Sequence, residues 1–423
     1  MSNVVGYDVI KSLCLNSFEE KIIYGWFDME SGYGYALNFK LSEDKSIIAI
    51  KKRRGAEFNW EFVRLATKEP DKEEEVLISL PLQDVVSIKD DKAIVKMGTP
   101  RFPPYLAEIN IITGDILSIL SKSILPRGIY FPKVISRTIA SIADDDVEVQ
   151  FFATIPPRFE GQDPRRPFVL NLNGGPICDP TTEKDSRELG LELAQKGIGS
   201  VIVNYRSRYG RPSEDIRSAA DEKGFWKDSD IWDVVTALLE LKNSGIMGDL
   251  VLKGASYDAK VVMAIALGIS PDTKKYYRKG LKPIGLVLLG GDYLPYDEDD
   301  TGLRSRITFE DPSAKSIPTV AVHGTEDLQT PFTPNGEYIR EYVEKNTRAL
   351  FLPARNTGHT LVGNPDIDEF MNNHLTKIII RMALGAADPF EGFRGSELHV
   401  SITKESPAGT VPGGAASASA AAE

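Results

Sequence analysis

The sequence predicts an α/β protein: a mostly parallel, doubly wound sheet preceded by a smaller antiparallel β region. Three observations carry this reading. From Phe168 to Gly385, short apolar runs alternate with amphipathic stretches, the pattern of strands joined by helical crossovers. From about Lys21 to Leu120 the runs are short, alternating and broken by turn residues, the rhythm of antiparallel hairpins. A chain of 423 residues, 42% hydrophobic and 26% charged, has the make-up of a two-part globular protein rather than a disordered or fibrous one. The expected division is a β-rich region at 1–125, an α/β domain at 126–390 and a flexible tail at 400–423. The tail, SPAGTVPGGAASASAAAE from Ser406, has too little apolar side chain to repay its own ordering.

The elements follow in order. Tyr35–Leu41 and Ile47–Lys52 flank the turn-forming stretch Ser42-Glu-Asp-Lys45, which suits a hairpin. Strand-like runs come at Trp60–Ala66, Val76–Leu80, Val85–Ile88 and Ala93–Met97. Leu106–Ile112 and Ile116–Leu120 form a further hairpin turning at Gly114. In the second half, strands are expected at Phe168–Asn173, Ser200–Tyr205, Asp249–Lys253, Ile284–Leu289, Thr319–Val322 and Ala349–Leu352. Helices are expected over Glu188–Lys196, Asp230–Lys242, Ser256–Leu267, Glu337–Lys345 and Ile367–Leu384.

Composition excludes several functions. Lys and Arg total 50 against 61 Asp and Glu, a net charge of -11, which argues against a phosphate-binding surface and so against nucleic acid as partner. The apolar run Val261–Ile269 is about half of the roughly 20 residues a membrane helix needs, so no membrane partner is expected. The opening MSNVVGYDVIKSLC lacks a basic patch followed by an apolar core. With only two cysteines, Cys14 and Cys178, a disulfide scaffold or thiolate zinc site is excluded, and a cytoplasmic location is expected. No dinucleotide or phosphate-loop pattern and no metal-ligand spacing appear, so neither cofactor nor metal is expected.

The chemistry gathers at strand ends. The strand Asp249–Lys253 runs into Gly254-Ala-Ser-Tyr-Asp258, and a helix starts at once. A serine at such a turn is held clear of the sheet with the helix's positive end behind it. The plainer alternative is a helix N-cap. Order supports a nucleophile: in the α/β-hydrolase arrangement an acid and then a histidine follow on loops after later strands. His323-Gly-Thr-Glu-Asp327 follows one such strand, and Asn356-Thr-Gly-His359 follows the next. Of four histidines, His399 lies beyond the domain, His374 within the last helix and His323 against the acid loop, which leaves His359 as base. Asp327 would orient its imidazole, with Glu326 and Asp292 as rival acids. Asn173-Gly-Gly-Pro176 follows the first strand, where backbone N–H groups of Gly175 and Tyr257 would meet a developing oxyanion. Arg206 and Arg208, after the second strand, are candidates to hold a substrate carboxylate, or else ordinary surface arginines.

From about Val134 to Gly385 the chain resembles the catalytic domain of the prolyl oligopeptidase family of serine peptidases. The resemblance lies in Asn173-Gly-Gly-Pro, Asn204-Tyr-Arg-Ser-Arg-Tyr-Gly210, Trp226-Lys-Asp-Ser-Asp-Ile-Trp-Asp233, Gly254-Ala-Ser-Tyr, His323-Gly-Thr-Glu-Asp327 and Gly358-His359. It implies an α/β-hydrolase fold behind a β-propeller, Leu106–Leu120 ending a blade and Asp144–Pro157 opening the hydrolase. It also implies acyl-enzyme formation on Ser256 and short peptides as substrates. An esterase, lactonase or thioesterase acting on a small metabolite is the alternative within enzymes.

Two departures stand out. Residues 1–125 suffice for two or three blades of about 40–50 residues, short of the usual four to eight. The family's Gly-x-Ser-x-Gly-Gly reads Gly254-Ala-Ser-Tyr-Asp258-Ala259 here, with Lys260 positioned to offset part of the charge. If Asp258 blocked the site, the chain would be a binding module on a hydrolase fold.

Overall fold

The computed structural model describes residues 10–13, 20–24, 33–54, 57–65, 75–97, 105–121, 132–142, 147–157, 163, 165–175, 184–208, 229–267, 281, 283–293, 317–345 and 348–393. The chain forms two units, Met1–Pro389 and Phe390–Glu423, and every described strand and helix belongs to the first. The expected tail at 400–423 lies outside the described residues, as do Cys178 and Trp226–Asp228.

The β region is built from antiparallel meanders. Strands β1 (Ile10–Leu13) and β2 (Glu20–Tyr24) pair with each other. Strands β3 (Tyr33–Leu41), β4 (Ile47–Arg54), β5 (Glu57–Arg64) and β6 (Glu75–Leu80) form one four-stranded sheet in chain order. Strands β7 (Asp84–Lys89), β8 (Lys92–Met97), β9 (Tyr105–Asn110) and β10 (Ile116–Ser121) form a second. Period-2 alternation gives each sheet an apolar face, and the two faces share one core. Ile47, Trp60 and Phe62 of the first sheet meet Val85, Val95 and Ile109 of the second, all buried. Gly114, in the β9–β10 turn, is needed twice over. Its φ is +79°, and a β-carbon there would stand 2.8 Å from Ile78 Cδ1 of the facing sheet. Sequential four-stranded meanders stacked face to face are the unit of a propeller.

The α/β half is one eight-stranded sheet. Its members are β11 (Lys133–Ala140), β12 (Glu148–Ile155), β13 (Arg166–Leu172), β14 (Gly199–Asn204), β15 (Met247–Ala255), β16 (Pro283–Leu289), β17 (Thr319–Gly324) and β18 (Ala349–Ala354). The order is β11-β12-β14-β13-β15-β16-β17-β18. The β11–β12 hairpin, whose second strand lies within the expected Asp144–Pro157 stretch, joins β14 antiparallel, and every other pairing is parallel. The central strands are apolar on both faces: Val169, Leu170, Val251, Leu252, Val287 and Val320 are all buried. Each such side chain contributes about 1.5–3 kcal/mol on burial.

The helices are α1 (Lys184–Gln195), α2 (Ser229–Asn243), α3 (Tyr257–Leu267), α4 (Glu337–Lys345), α5 (Pro365–Glu369) and α6 (Leu375–Ala383). The single C-terminal helix expected at Ile367–Leu384 is instead α5 and α6, joined by a π-helical turn at Phe370–His374. Almost all of α3 is buried, because it lies between other elements rather than on the surface. Two glycines let helices approach the sheet. A β-carbon on Gly285 would stand 2.9 Å from Met382 Sδ of α6, and one on Gly254 would stand 2.3 Å from the Asp258 carbonyl oxygen of α3.

Candidate active site

Four loops at the carboxyl ends of β13, β15, β17 and β18 converge, as the crevice rule for open α/β sheets requires. Ser256 sits between β15 and α3 with φ +52°, a left-handed conformation that is costly for a side-chain-bearing residue. Its N–H donates to Leu289 O at 2.8 Å, and its carbonyl accepts from Ala259 N at 3.0 Å, so the turn is fixed on both sides.

Asp327 and His359 meet there. The Ser256 Oγ lies 2.9 Å from His359 Nε2, and His359 Nδ1 lies 2.8 Å from Asp327 Oδ2. A carboxylate only accepts, so Nδ1 carries the proton and Nε2 is left to accept from the serine hydroxyl. Asp327 is held from several sides. Its Oδ1 accepts the N–H groups of Gln329 and Thr330, each at 2.9 Å, and its Oδ2 accepts the Thr330 hydroxyl at 2.7 Å. Burial pushes this carboxyl up, but the Thr330 N–H, His359 and the Thr330 hydroxyl outweigh it, so Asp327 lies below its ordinary value. Gly324 lets the histidine loop close over β17: a β-carbon there would stand 2.3 Å from Thr357 O.

The remaining candidates divide. Gly174, at φ +105°, brings the β13 loop against Ser256, since a β-carbon on it would stand 3.8 Å from Ser256 Cβ. Gly175 is the next residue of that loop, and Tyr257 is the first of α3. Glu326 is exposed and Asp292 is part-buried on the loop after β16. His323 is buried and donates through Nε2 to Thr330 O at 2.8 Å, thereby supporting the acid loop. Burial holds its pKa below the ordinary value. His374 is 3.8 Å from Glu369 within the C-terminal helices.

Arg206 and Arg208 require correction. Neither lies on the surface, and each is only 1% exposed. Arg206 makes a two-pronged pair with Asp233, Nε to Oδ2 at 2.9 Å and Nη2 to Oδ1 at 2.6 Å. Arg208 is paired with Asp258. Their guanidinium groups are engaged by carboxylates of this chain, because two buried cations beneath the sheet need anions close by. Asp258 is correspondingly offset by Arg208 rather than by Lys260.

A third acid completes this buried cluster. Asp230 accepts from the Ser207 hydroxyl at 2.6 Å and the Tyr257 hydroxyl at 3.0 Å. Burial raises it from 3.8 to about 7, so it is protonated in mild acid and leaves two arginines balanced by two carboxylates. The sign of its linkage follows. The unfolded chain ionises near 3.8 and the folded chain near 7, so stability is complete below 3.8 and falls as pH rises to about 7. At roughly 1.4 kcal/mol per pH unit the loss is about 4 kcal/mol. Asp230→Asn should flatten that slope, seen as urea midpoints that converge between pH 4.5 and 7.5. Curves parallel to the parent's would contradict it.

The sequence assigns no role to Thr330, Asp230, Asp233 or Lys253, although Asp230 and Asp233 lie in the Trp226–Asp233 motif. Lys253 Nζ donates to Asn171 Oδ1 at 2.7 Å and Asn173 Oδ1 at 2.6 Å, bracing the loop after β13. A lysine inside the apolar run Leu250-Val-Leu-Lys253 was the available signal.

The sheet order, the elbow and the converging loops define an α/β-hydrolase fold joined to propeller-like sheets. Solved structures share it. A puromycin hydrolase matches with TM-score 0.62 at 15% identity over 89% of this chain and 57% of its own. The acylaminoacyl peptidase of Pyrococcus horikoshii matches with TM-score 0.61 at 14% identity over 86% and 57%. A post-proline cleaving enzyme from Rickettsia typhi matches with TM-score 0.58 at 15% identity over 86% and 53%. These neighbours are peptidases of the prolyl oligopeptidase family, so the expected family resemblance in fold is borne out. The chain spans just over half the length of each. No protein-family model matches the chain, and no curated protein matches it in sequence. Among the described residues, no helix is long and apolar enough to cross a membrane.

Proposed function

We propose that this chain is a serine hydrolase that cleaves short peptides or aminoacyl amides through an acyl-enzyme. The observation that carries the reading is the hydrogen-bond chain from Ser256 through His359 to Asp327, at 2.9 and 2.8 Å. Ser256 Oγ attacks the substrate carbonyl carbon while His359 Nε2 takes its proton. The oxyanion so formed accepts from the N–H groups of Gly175 and Tyr257. The imidazolium, stabilised by Asp327, returns the proton to the departing amine as the C–N bond breaks. Water, deprotonated by the same nitrogen, then hydrolyses the ester and restores the serine.

Peptides are favoured as the substrate class because the structural neighbours are named as peptidases. Two cysteines in the whole chain support a cytoplasmic setting. The test is labelling of the purified chain by a fluorophosphonate at neutral pH, with the adduct mapped to Ser256. Folded protein that takes up no label would overturn the proposal. Turnover of aminoacyl p-nitroanilides is expected alongside p-nitrophenyl esters, and hydrolysis of the esters alone would make the chain an esterase.

A further inference from the structure

Asp258 is where the chain leaves the Gly-x-Ser-x-Gly-Gly pattern, and it is fully buried. Its carboxylate gathers donors from two different loops. Oδ2 accepts the Gly174 N–H at 2.7 Å and the Arg208 guanidinium, and Oδ1 accepts the Tyr205 hydroxyl at 2.6 Å. Gly174 lies after β13, Tyr205 and Arg208 lie after β14, and Asp258 is in the first turn of α3. One side chain therefore ties both loops to the helix behind the nucleophile. Its hydrogen bonds run to these three groups and not to Ser256 or His359.

The packing around this carboxylate is close. A β-carbon on Gly175 would stand 2.2 Å from the Tyr205 oxygen and 3.4 Å from Tyr257 Cδ1, so Gly175 rests directly on Tyr205. Burial pushes the Tyr205 hydroxyl well above its ordinary range, which keeps it a donor. A lone carboxylate here would oppose negative charge developing on a substrate oxygen. The Arg208 guanidinium removes that penalty, lying on Asp258 with its Cζ 4.5 Å from the Tyr205 ring centre.

We propose that Asp258 is a positioning residue that latches the loop after β13 to the nucleophile helix, aiming the Gly175 N–H at the developing oxyanion, with Arg208 cancelling its charge. The proposal rests on the serine-hydrolase reading. Where paired glycines would let backbone meet backbone, this chain joins the same parts through a neutralised carboxylate.

The test uses the full chain with p-nitrophenyl butyrate as substrate and phenylboronic acid as the tetrahedral mimic. In Asp258→Ala, kcat should fall about 10²-fold, the loss typical of a displaced oxyanion donor. The phenylboronic acid inhibition constant should rise by a similar factor, while KM changes by less than about threefold. Asp258→Asn keeps the shape, and Arg208→Met added to it removes the otherwise unpaired buried cation, which guards against misfolding. The asparagine variant should fall between parent and alanine variant, at about 10-fold.

Parent-like kcat in both variants, or a gain of activity, would overturn the latch. The hydrolase reading is judged separately by parent turnover that disappears in Ser256→Ala. If the parent is inert, amide exchange at Gly174 still decides the latch: faster exchange in Asp258→Ala supports it, and unchanged exchange removes it.

Discussion

Asp327→Asn is expected to lower kcat about 10⁴-fold, as loss of the orienting carboxylate does in serine peptidases. The carboxylate obliges His359 to keep its proton on Nδ1, 2.8 Å away, which frees Nε2 to accept from Ser256. An amide can turn its NH₂ towards Nδ1, and the ring then holds its proton on Nε2, where it cannot act as base. The same amide would face the N–H groups of Gln329 and Thr330 and the Thr330 hydroxyl, which now converge on two acceptor oxygens. One unmet donor costs about 1–3 kcal/mol, so a lower urea midpoint should accompany the kinetic loss. Steady-state turnover together with urea unfolding checks both parts. Near-parent kcat would show that Asp327 is not the orienter.

Arg206→Met is expected to carry the largest stability cost, about 3–5 kcal/mol, because it strands the Asp233 carboxylate in the interior. Asp233 is fully buried and receives the Arg206 N–H, its guanidinium and the Ser141 hydroxyl. A combined Arg206→Met and Asp233→Leu variant should recover most of the loss, since the expensive species is the unpaired charge rather than the missing pair. Urea unfolding of the parent, the single and the double variants measures this. Equal destabilisation of single and double variants would place the effect in packing instead.

These two sites differ in how far the sequence discloses them. Ser256, Asp327 and His359 were legible because each stands where an apolar run stops and a glycine-containing loop begins, and the parallel topology brings such loops to one edge. The hairpins of the β region were legible through period-2 alternation and Gly114. The buried acids and arginines were not. Arg206 meets Asp233 across 27 positions and Arg208 meets Asp258 across 50, and no local periodicity says which charges will face each other inside. Asp258 was visible as a departure, but its meaning depended on Tyr205 and Gly174, which only the fold supplies. Thr330 carries no signal in the sequence, because a threonine three residues past an acid also suits an ordinary turn.

Ser256 and His359 are hydrogen-bonded across 103 positions of chain, and the acid comes from a third loop 32 positions before the histidine. No stretch of neighbouring residues contains the site; the sheet holds it together as a keystone arrangement in which every loop leans on another strand's end. Chemistry and architecture are thus one event for this chain. A partly assembled sheet has no weakened form of the proposed triad to offer, only scattered residues, so the proposed turnover should begin only when β13 to β18 have all found their places.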